Sequence, residues 1–263
     1  MAGALTRPGP GEPLGWWSQR CEPPAADPSL RQRRFELTSR GDRVGGRLML
    51  PPDGDGPFPL VLLQHGLGGS ADAPYIDAAG CPWARRGAAV ACVDLPLHGS
   101  REDQKLAALL PVGLARPGIS RSLALEFAQQ AVCDLARTLD ALCAQPMLDA
   151  DRVAFAGFSL GAMLGACFCA LDPRPRAAAL ALAGAGVVPP GADAAEYVAA
   201  IAPRPVLLVN AEADTVVPRE AALALFRAAA EPKQQLWFDA DHETLPGEAL
   251  KAMWRLLSES LGL

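Results

Sequence analysis

Short apolar runs alternate along this chain with longer amphipathic stretches, and this alternation constrains the fold more than any other feature. Each run is apolar at successive positions, as expected for parallel strands covered on both faces of a sheet. The runs are PLVLLQ (59–64), AAVACVDL (88–95), RVAFAG (152–157), AAALALAG (177–184), PVLLVNA (205–211) and QQLWFDA (234–240). The remaining stretches predict helices over 75–86, 121–145, 160–171, 192–201, 218–230 and 246–262. This order predicts an α/β fold with a mostly parallel central sheet and helices on both faces.

The N-terminal part of the chain follows a different pattern. The stretch RFELTSRGDRVGGRLMLP, from residue 34 to 51, alternates on both sides of a Gly-containing break. This pattern is typical of a β-hairpin, which we expect to add an antiparallel edge to the sheet. Residues 1–34 are rich in proline and show little periodicity apart from Trp16 and Trp17, which predicts an irregular arm. We find no internal repeat and no linker in the rest, so we expect one domain over residues 35–263.

Composition excludes several classes of protein. The 263 residues are 50% hydrophobic, which suffices for a large core, and the net charge is −5, whereas nucleic-acid-binding domains normally carry a basic surplus. The first residues lack the apolar segment of a signal peptide, and no window approaches about 18 uninterrupted apolar residues, so we expect no membrane span. The seven cysteines include no C-x-x-C pair. We expect a soluble, cytoplasmic protein without a disulfide framework or zinc site, although one reactive cysteine stays an open alternative.

The stretch FAGFSLGAML, residues 155–164, places Ser159 between Gly157 and Gly161 at the predicted boundary of a strand and a helix. A tight turn there lifts the serine side chain out of the carboxyl end of the sheet, and the next backbone N–H lies at a helix N-terminus, where donors are unpaired. Such a turn crowds the backbone, which favours glycine on both sides. The pattern G-x-S-x-G in this context predicts a nucleophilic serine, although the pattern also occurs by chance.

A nucleophilic serine needs a base and an acid that orients the base. His242 follows the last apolar run and precedes the last predicted helix, which places it at the same carboxyl edge as Ser159. Asp214 follows the run 205–211 at that edge, and Glu212 is the competing acid. The flanking residues Asp239 and Asp241 are too close to the histidine in sequence to be the first choice.

The loop HGLGG, residues 65–69, follows the first apolar run and can bring backbone N–H groups close to a substrate carbonyl. We assign one donor of an oxyanion hole to Leu160 and the second to Leu67, with Gly66 as the alternative. The other two histidines are expected to be structural, with His65 hydrogen-bonded to its own loop and His98 in the loop after the second run. Asp94 and Ser100 are expected to form hydrogen bonds within that second loop.

Taken together, these motifs resemble the α/β-hydrolase superfamily, and most closely its serine-type, dienelactone-hydrolase-like esterase branch. The resemblance covers roughly residues 35–263 and rests on HGLGG (65–69), DLPLHGSR (94–101), GFSLG (157–161), the D-x-x-V-P stretch (214–218) and His242. It implies that residues 35–263 form the catalytic domain and that the site has no large lid, since only about 20 residues separate the runs at 177–184 and 205–211. Residues 100–120 are expected to supply part of a pocket wall.

The resemblance implies that Ser159 is the nucleophile, His242 the general base and then acid, and Asp214 the orienting acid. Dienelactone hydrolases proper carry cysteine at the nucleophile position, so Ser159 favours ordinary carboxylic esters. The expected activity is therefore that of a carboxylesterase acting on small to medium ester substrates through an acyl-enzyme, a route that needs no metal or organic cofactor. A thioesterase or an amidase or peptidase with the same three residues is the alternative within enzymes, and a non-catalytic binding protein of the same fold is the alternative outside them. No nucleic acid or membrane partner is expected, and the oligomeric state is left open.

Overall fold

The strands of this chain form one sheet across the part that the structure, a computed structural model, describes: residues 4–9, 13–103 and 119–263. Within it the sheet has nine strands in the order β1-β2-β3-β5-β4-β6-β7-β8-β9. The strands are β1 Trp17–Cys21, β2 Arg31–Ser39, β3 Asp42–Leu50, β4 Phe58–Gln64, β5 Ala89–Val93, β6 Leu148–Phe158, β7 Pro175–Ala181, β8 Val206–Ala211 and β9 Lys233–Phe238.

The sheet has an antiparallel part and a parallel part. Strands β1, β2 and β3 pair antiparallel to one another, and β3 pairs antiparallel to β5. From β5 onward every neighbouring pair is parallel. The hairpin predicted for residues 34–51 and the parallel sheet predicted for the apolar runs are both confirmed.

Helices cover both faces of the sheet. The helices are α1 Pro74–Arg85, α2 Ile119–Cys143, α3 Leu160–Leu171, α4 Arg219–Ala228 and α5 Gly247–Leu261. Residues of α2, α3 and α4 share one buried hydrophobic cluster, whereas residues of α1 and α5 share another on the opposite face. In β4 the side chains alternate between them, with Leu60 and Leu62 in the first cluster and Val61 and Leu63 in the second. Burial on both faces is the physical reason why this strand is a continuous apolar run.

Two predicted elements need correction. Residues 1–34 are not irregular throughout, because Trp17–Cys21 is the edge strand β1 and β2 begins at Arg31. Pairing with β2 and stacking of Trp16 on Phe35, at 5.2 Å between ring centroids, order this segment although its sequence has no apolar run. The helix predicted over 192–201 is two short 3₁₀ helices, Ala194–Glu196 and Val198–Ile201, which pack into the hydrophobic cluster of α3.

The topology brings four loops to the carboxyl edge of the parallel strands. These loops follow β4, β6, β8 and β9, and they carry residues 65–69, Ser159, Asp214 and His242. Ligands and reactive groups gather at this edge in open α/β sheets. None of the helices in the described ranges is both long and apolar enough to cross a membrane.

Candidate active site

Ser159 is the single residue between β6 and α3, and its backbone is held in a conformation that serine rarely adopts. Its φ is 51° and its ψ is −121°. The N–H of Ser159 donates to the carbonyl oxygen of Ala181 at 2.8 Å, and its carbonyl oxygen accepts from the N–H groups of Ala162 and Met163. The end of β7 and the first turn of α3 therefore both hold the turn that presents the serine hydroxyl.

The glycines on either side of the serine leave no room for a side chain. A Cβ atom built on Gly157 would lie 2.8 Å from the carbonyl oxygen of Gly161 and 2.9 Å from the nitrogen of Ala162. A Cβ built on Gly161 would lie 2.3 Å from the carbonyl oxygen of His65. The crowding expected from the sequence is confirmed, and the second contact shows that α3 begins directly against the end of β4.

Three side chains that are far apart in the sequence meet at this turn. His242 Nε2 lies 2.9 Å from Ser159 Oγ, and His242 Nδ1 lies 2.8 Å from Asp214 Oδ2. The imidazole is 16% exposed and the carboxylate 5% exposed. Because the carboxylate can only accept when ionised, Nδ1 carries the proton and Nε2 is left to accept from the serine hydroxyl.

The second oxygen of Asp214 is bonded to the backbone of its own loop. Its Oδ1 accepts from the N–H groups of Val216 and Val217, both at 2.8 Å. The competing acid Glu212 is exposed, and its backbone N–H donates to Phe238. The structure thus brings Asp214, and not Glu212, to the histidine.

The two acidic residues beside His242 have other positions. Asp239 is exposed. Asp241 accepts hydrogen bonds from the backbone N–H of Glu243 and the hydroxyl of Thr244, and the Thr244 hydroxyl holds the pKa of Asp241 below its usual range. Asp241 therefore shapes the loop that carries the histidine.

The two expected oxyanion donors belong to Leu160, which follows Ser159 in the chain, and to Leu67, which lines the same cavity as Ser159. Leu160 is the first residue of α3, and its N–H has no partner among the residues that the structure describes. The N–H of Gly66 donates to the hydroxyl of Tyr75 at 3.0 Å, whereas the N–H of Leu67 has no partner in the described ranges. The occupied N–H of Gly66 favours Leu67 as the second donor.

His65 is bonded within its own loop, as expected. Its Nδ1 lies 2.8 Å from the carbonyl oxygen of Gly66, and its Nε2 lies 3.0 Å from the backbone nitrogen of Leu95, which must be the donor. Nδ1 is therefore the protonated nitrogen. Burial lowers the pKa of His65 to about 4, so the ring is neutral near pH 7.

The loop after β5 is tied to the loop after β4. Asp94 is buried and accepts from the backbone N–H of Ala71 at 2.8 Å and from both the backbone N–H and the hydroxyl of Ser100 at 2.8 Å. His98 is buried with its Nδ1 2.8 Å from the carbonyl oxygen of Pro96. These contacts agree with the structural roles predicted for Asp94, His98 and Ser100.

A cavity of about 620 Å³ opens beside the serine hydroxyl. Its wall is mostly apolar and includes Tyr75, Phe158, Leu182, Leu245 and Leu250. Glu243 is the one acidic residue on its described wall, which contains no Lys or Arg. A second cavity, of about 550 Å³, shares residues 67–69, Ala73 and Pro74 with it. The pocket wall predicted for residues 100–120 falls largely on residues 104–118, which lie outside the described residues.

Sequence reasoning did not identify Tyr75, Leu182 or Glu243 as part of the site. Tyr75 is one of only two tyrosines in the chain, which is a weak signal, and the other two carry no recognisable pattern. All three reach the cavity through the tertiary arrangement of α1, β7 and the loop after β9.

A family model described as alpha/beta hydrolase fold matches residues 59–203, more than half of the chain. A comparison with curated proteins finds no match.

Among solved structures, a PEG-bound cold-adapted esterase from an Arctic intertidal metagenomic library is 22% identical, with a TM-score of 0.75 over 94% of this chain and 100% of that chain. Acetyl xylan esterase from Paenibacillus sp. R4 is 20% identical, with a TM-score of 0.76 over 94% and 89% of the two chains. Acetyl xylan esterase 1 from Thermoanaerobacterium sp. JW/SL YS485 is 17% identical, with a TM-score of 0.70 over 98% and 96%. At these identities the likeness shows the fold, and it confirms the predicted fold class.

Proposed function

Because this chain belongs to the α/β hydrolase fold family, we propose that it is a serine hydrolase that cleaves carboxylic esters through an acyl-enzyme on Ser159. The observation that carries the proposal is the line of two hydrogen bonds, 2.9 Å from Ser159 to His242 and 2.8 Å from His242 to Asp214. A serine hydroxyl is a weak nucleophile, and a base at this distance activates it. The similar structures are those of esterases, which favours an ester as the bond that is cleaved.

In the first half of the reaction, Ser159 Oγ attacks the ester carbonyl carbon while His242 Nε2 takes the hydroxyl proton. Asp214 stabilises the imidazolium that forms. The carbonyl oxygen becomes an oxyanion, which accepts from the N–H groups of Leu67 and Leu160. The C–O bond to the alcohol then breaks, and the alcohol leaves with the proton from His242.

In the second half, a water molecule attacks the carbonyl carbon of the acyl group on Ser159 while His242 Nε2 takes a proton from that water. The same two N–H groups hold the second oxyanion, and the proton returns to Ser159 Oγ as the carboxylic acid leaves. Both halves balance with side chains and water alone, so this route uses neither a metal nor an organic cofactor.

The cavity supports esters of small to medium size, and we propose that the substrates are of the ordinary carboxylic type acted on by serine-type, dienelactone-hydrolase-like esterases. A mostly apolar wall of this volume suits an acyl or alcohol group that consists largely of hydrocarbon. Thioesters and amides use the same three side chains. Side-by-side values of kcat/KM on matched ester, thioester and amide substrates separate these activities, with the ester expected to be fastest.

Pre-steady-state hydrolysis of p-nitrophenyl acetate tests the mechanism. We expect a burst of about one p-nitrophenolate per protein molecule, followed by slower turnover, because this activated ester should acylate Ser159 faster than water hydrolyses the acyl-enzyme. The Ser159→Ala variant should show neither phase. A fluorophosphonate should attach to Ser159, as located by mass spectrometry. Attachment at another residue, or tight binding of an intact ester without turnover by the wild type, would contradict the proposal.

A further inference from the structure

We propose that Tyr75 is a positioning residue that sets the oxyanion loop, because its hydroxyl binds the N–H of Gly66 and so leaves the N–H of Leu67 directed at the substrate. This inference rests on the proposed function. Tyr75 lies at the start of α1, after the loop of residues 65–69, and its hydroxyl accepts from Gly66 at 3.0 Å. No motif of the sequence points to it.

The peptide group between Gly66 and Leu67 is held from one side. The carbonyl oxygen of Gly66 accepts from Nδ1 of His65 at 2.8 Å and from the N–H of Gly69 at 3.1 Å. In a planar trans peptide the N–H points opposite to the C=O. The N–H of Leu67 therefore points away from His65 and Gly69.

Glycine at position 66 makes an outside restraint necessary. Glycine has more accessible backbone conformations than any other residue, so its own φ and ψ hold the loop weakly. The hydrogen bond to Tyr75 restrains the peptide before Gly66, and the bonds to His65 and Gly69 restrain the peptide after it. Without the Tyr75 hydroxyl, only the peptide after Gly66 keeps a hydrogen bond among the described residues.

The loop lies so close to the nucleophile that a small shift would change the reaction geometry. A Cβ atom built on Gly66 would lie 3.2 Å from Ser159 Cβ and 3.2 Å from the carbonyl oxygen of Phe158. The ring of Tyr75 packs edge-on against Phe158, with ring centroids 5.4 Å apart and planes at 80°. Tyr75 thus links the oxyanion loop to the residue that precedes the serine.

The position of the hydroxyl indicates a role at the site rather than in the core. Tyr75 lines the cavity beside Ser159 and is 37% exposed. Its own proton has no acceptor among the described residues. Burial raises the pKa of Tyr75, so the phenol stays neutral across the working range of a serine hydrolase.

The matched pair Tyr75→Phe and Tyr197→Phe tests this role. Tyr197 is the other tyrosine of the chain, and its hydroxyl likewise accepts a backbone N–H, from Leu5 at 2.8 Å, but it donates to Gly191 and does not line the cavity. Loss of an oxyanion donor typically lowers kcat by about 10²–10³, so a misdirected donor should lower kcat of Tyr75→Phe by roughly 10-fold to 100-fold with KM within about twofold. Tyr197→Phe should keep kcat and lose only thermal stability.

The rate of labelling by a fluorophosphonate separates failure of this proposal from failure of the proposed function. Labelling needs Ser159, His242 and the oxyanion donors but no ester turnover, so it should slow in Tyr75→Phe by a factor similar to that for kcat. If the wild type labels at Ser159 yet hydrolyses no ester, the ester assignment is wrong while the labelling rates still test Tyr75. Equal kcat and equal labelling rates in Tyr75→Phe and wild type would overturn the positioning role.

Amide hydrogen exchange of the wild type tests the proposal without a variant that must fold. The N–H of Gly66 should be protected in the free protein, and that of Leu67 should exchange fast. After phosphonylation of Ser159 the N–H of Leu67 should exchange at least about 10-fold more slowly, because it then binds the phosphonyl oxygen. The assignment would be wrong if the N–H of Gly66 exchanged fast in the free protein and became protected after phosphonylation, while the exchange of the Leu67 N–H did not change.

Discussion

At the scale of single residues, the site depends on conformations and protonation states that the surroundings impose. Ser159 keeps a positive φ, a conformation that costs about 1–3 kcal/mol for a residue with a Cβ atom and persists only when neighbours hold it. His65 is kept neutral by burial, with one nitrogen donating and the other accepting. Both residues are held by hydrogen bonds to backbone groups of adjacent elements. The backbone conformation of Ser159 and the protonation of His65 therefore depend on the folded structure.

Replacement of Asp214 by asparagine should lower kcat by about 10⁴, because the amide of asparagine favours the wrong tautomer of His242. The backbone N–H groups of Val216 and Val217, which donate to Asp214 Oδ1, can also donate to the amide oxygen of asparagine, so the loop should keep its structure. Glu212→Gln is the matched control and should keep near-wild-type kcat. Loss of activity in Glu212→Gln with activity retained in Asp214→Asn would reverse the assignment of the acid.

The buried state of His65 predicts a pH dependence of stability. Its pKa is about 4 in the folded protein, against 6.5 for the exposed side chain, so below pH 6.5 the unfolded state binds more protons than the folded state. Stability due to this group is therefore complete above pH 6.5 and is lost as the pH falls toward 4. The expected loss between pH 7.5 and pH 5 is about 2 kcal/mol in the free energy of unfolding, measured with urea. In His65→Gln this part of the pH dependence should disappear, and an unchanged dependence would contradict the neutral buried ring.

At the scale of elements, the site is made by the contact between the end of β4 and the start of α3. A Cβ on Gly161 would lie 2.3 Å from the carbonyl oxygen of His65 and 2.8 Å from that of Gln64. This contact leaves no gap between strand and helix. It places the loop that follows β4, which contains Leu67, beside the N-terminus of α3, which begins at Leu160.

Gly161→Ala should separate these two elements, because the atoms that its methyl group meets are backbone oxygens that cannot turn away. We expect a loss of about 2–4 kcal/mol in the free energy of unfolding and a drop in kcat larger than the change in KM. Gly247→Ala, at the start of α5, is the control: a Cβ there meets no atom within 4 Å. It should keep activity and wild-type stability or better. Equal effects of the two substitutions would show that the contact does not shape the site.

At the scale of the whole molecule, the sheet separates two hydrophobic clusters, and the N-terminal arm packs against one of them. Leu5 is buried with the cluster of α2 and α3, and its N–H donates to Tyr197 at 2.8 Å. We propose that residues 35–263 form the catalytic domain and that the arm stabilises it from outside the site. The chain as a whole carries a net charge of −5, and the described wall of the 620 Å³ cavity includes Glu243 but no Lys or Arg.

This charge distribution predicts a preference for cationic over neutral substrates of equal shape. Acetylcholine and 3,3-dimethylbutyl acetate differ by one charge at nearly constant shape, so the ratio of their kcat/KM values isolates the electrostatic part. Because Glu243 is exposed, Glu243→Gln should lower this ratio by only about twofold to fivefold, and high salt should remove the difference. Glu248→Gln, an exposed glutamate outside the cavity wall, is the control. A ratio unchanged by Glu243→Gln at low salt would contradict a role for this carboxylate.

Much of the fold and site could be predicted because the responsible signals are local. Strands β4, β5, β7, β8 and the second half of β6 are buried on both faces, so each is a continuous apolar run that is visible in the sequence. The G-x-S-x-G pattern at Ser159 is also local in sequence, although only Gly157 is crowded by near neighbours, Gly161 and Ala162, whereas a Cβ on Gly161 would meet the carbonyl oxygens of Gln64 and His65 at the end of β4. The edge strand β1 is not predicted, and the segment 192–201 is predicted as one helix where the structure has two 3₁₀ helices, because pairing with β2 and packing on α3 order these segments rather than a periodic pattern.

The amino-acid sequence by itself determined the parallel α/β architecture, the position of the serine turn and the set of side chains that could meet there, because burial and backbone crowding act on neighbouring residues. Only the tertiary structure shows that Asp214, and not Glu212, contacts His242, and that the N–H of Gly66 is bonded to Tyr75 while the N–H of Leu67 has no partner among the described residues. Each pair lies in one loop, where spacing cannot tell which group faces His242 or the substrate. The deciding contacts, from His242 to Asp214 and from Tyr75 to Gly66, come from other elements of the fold.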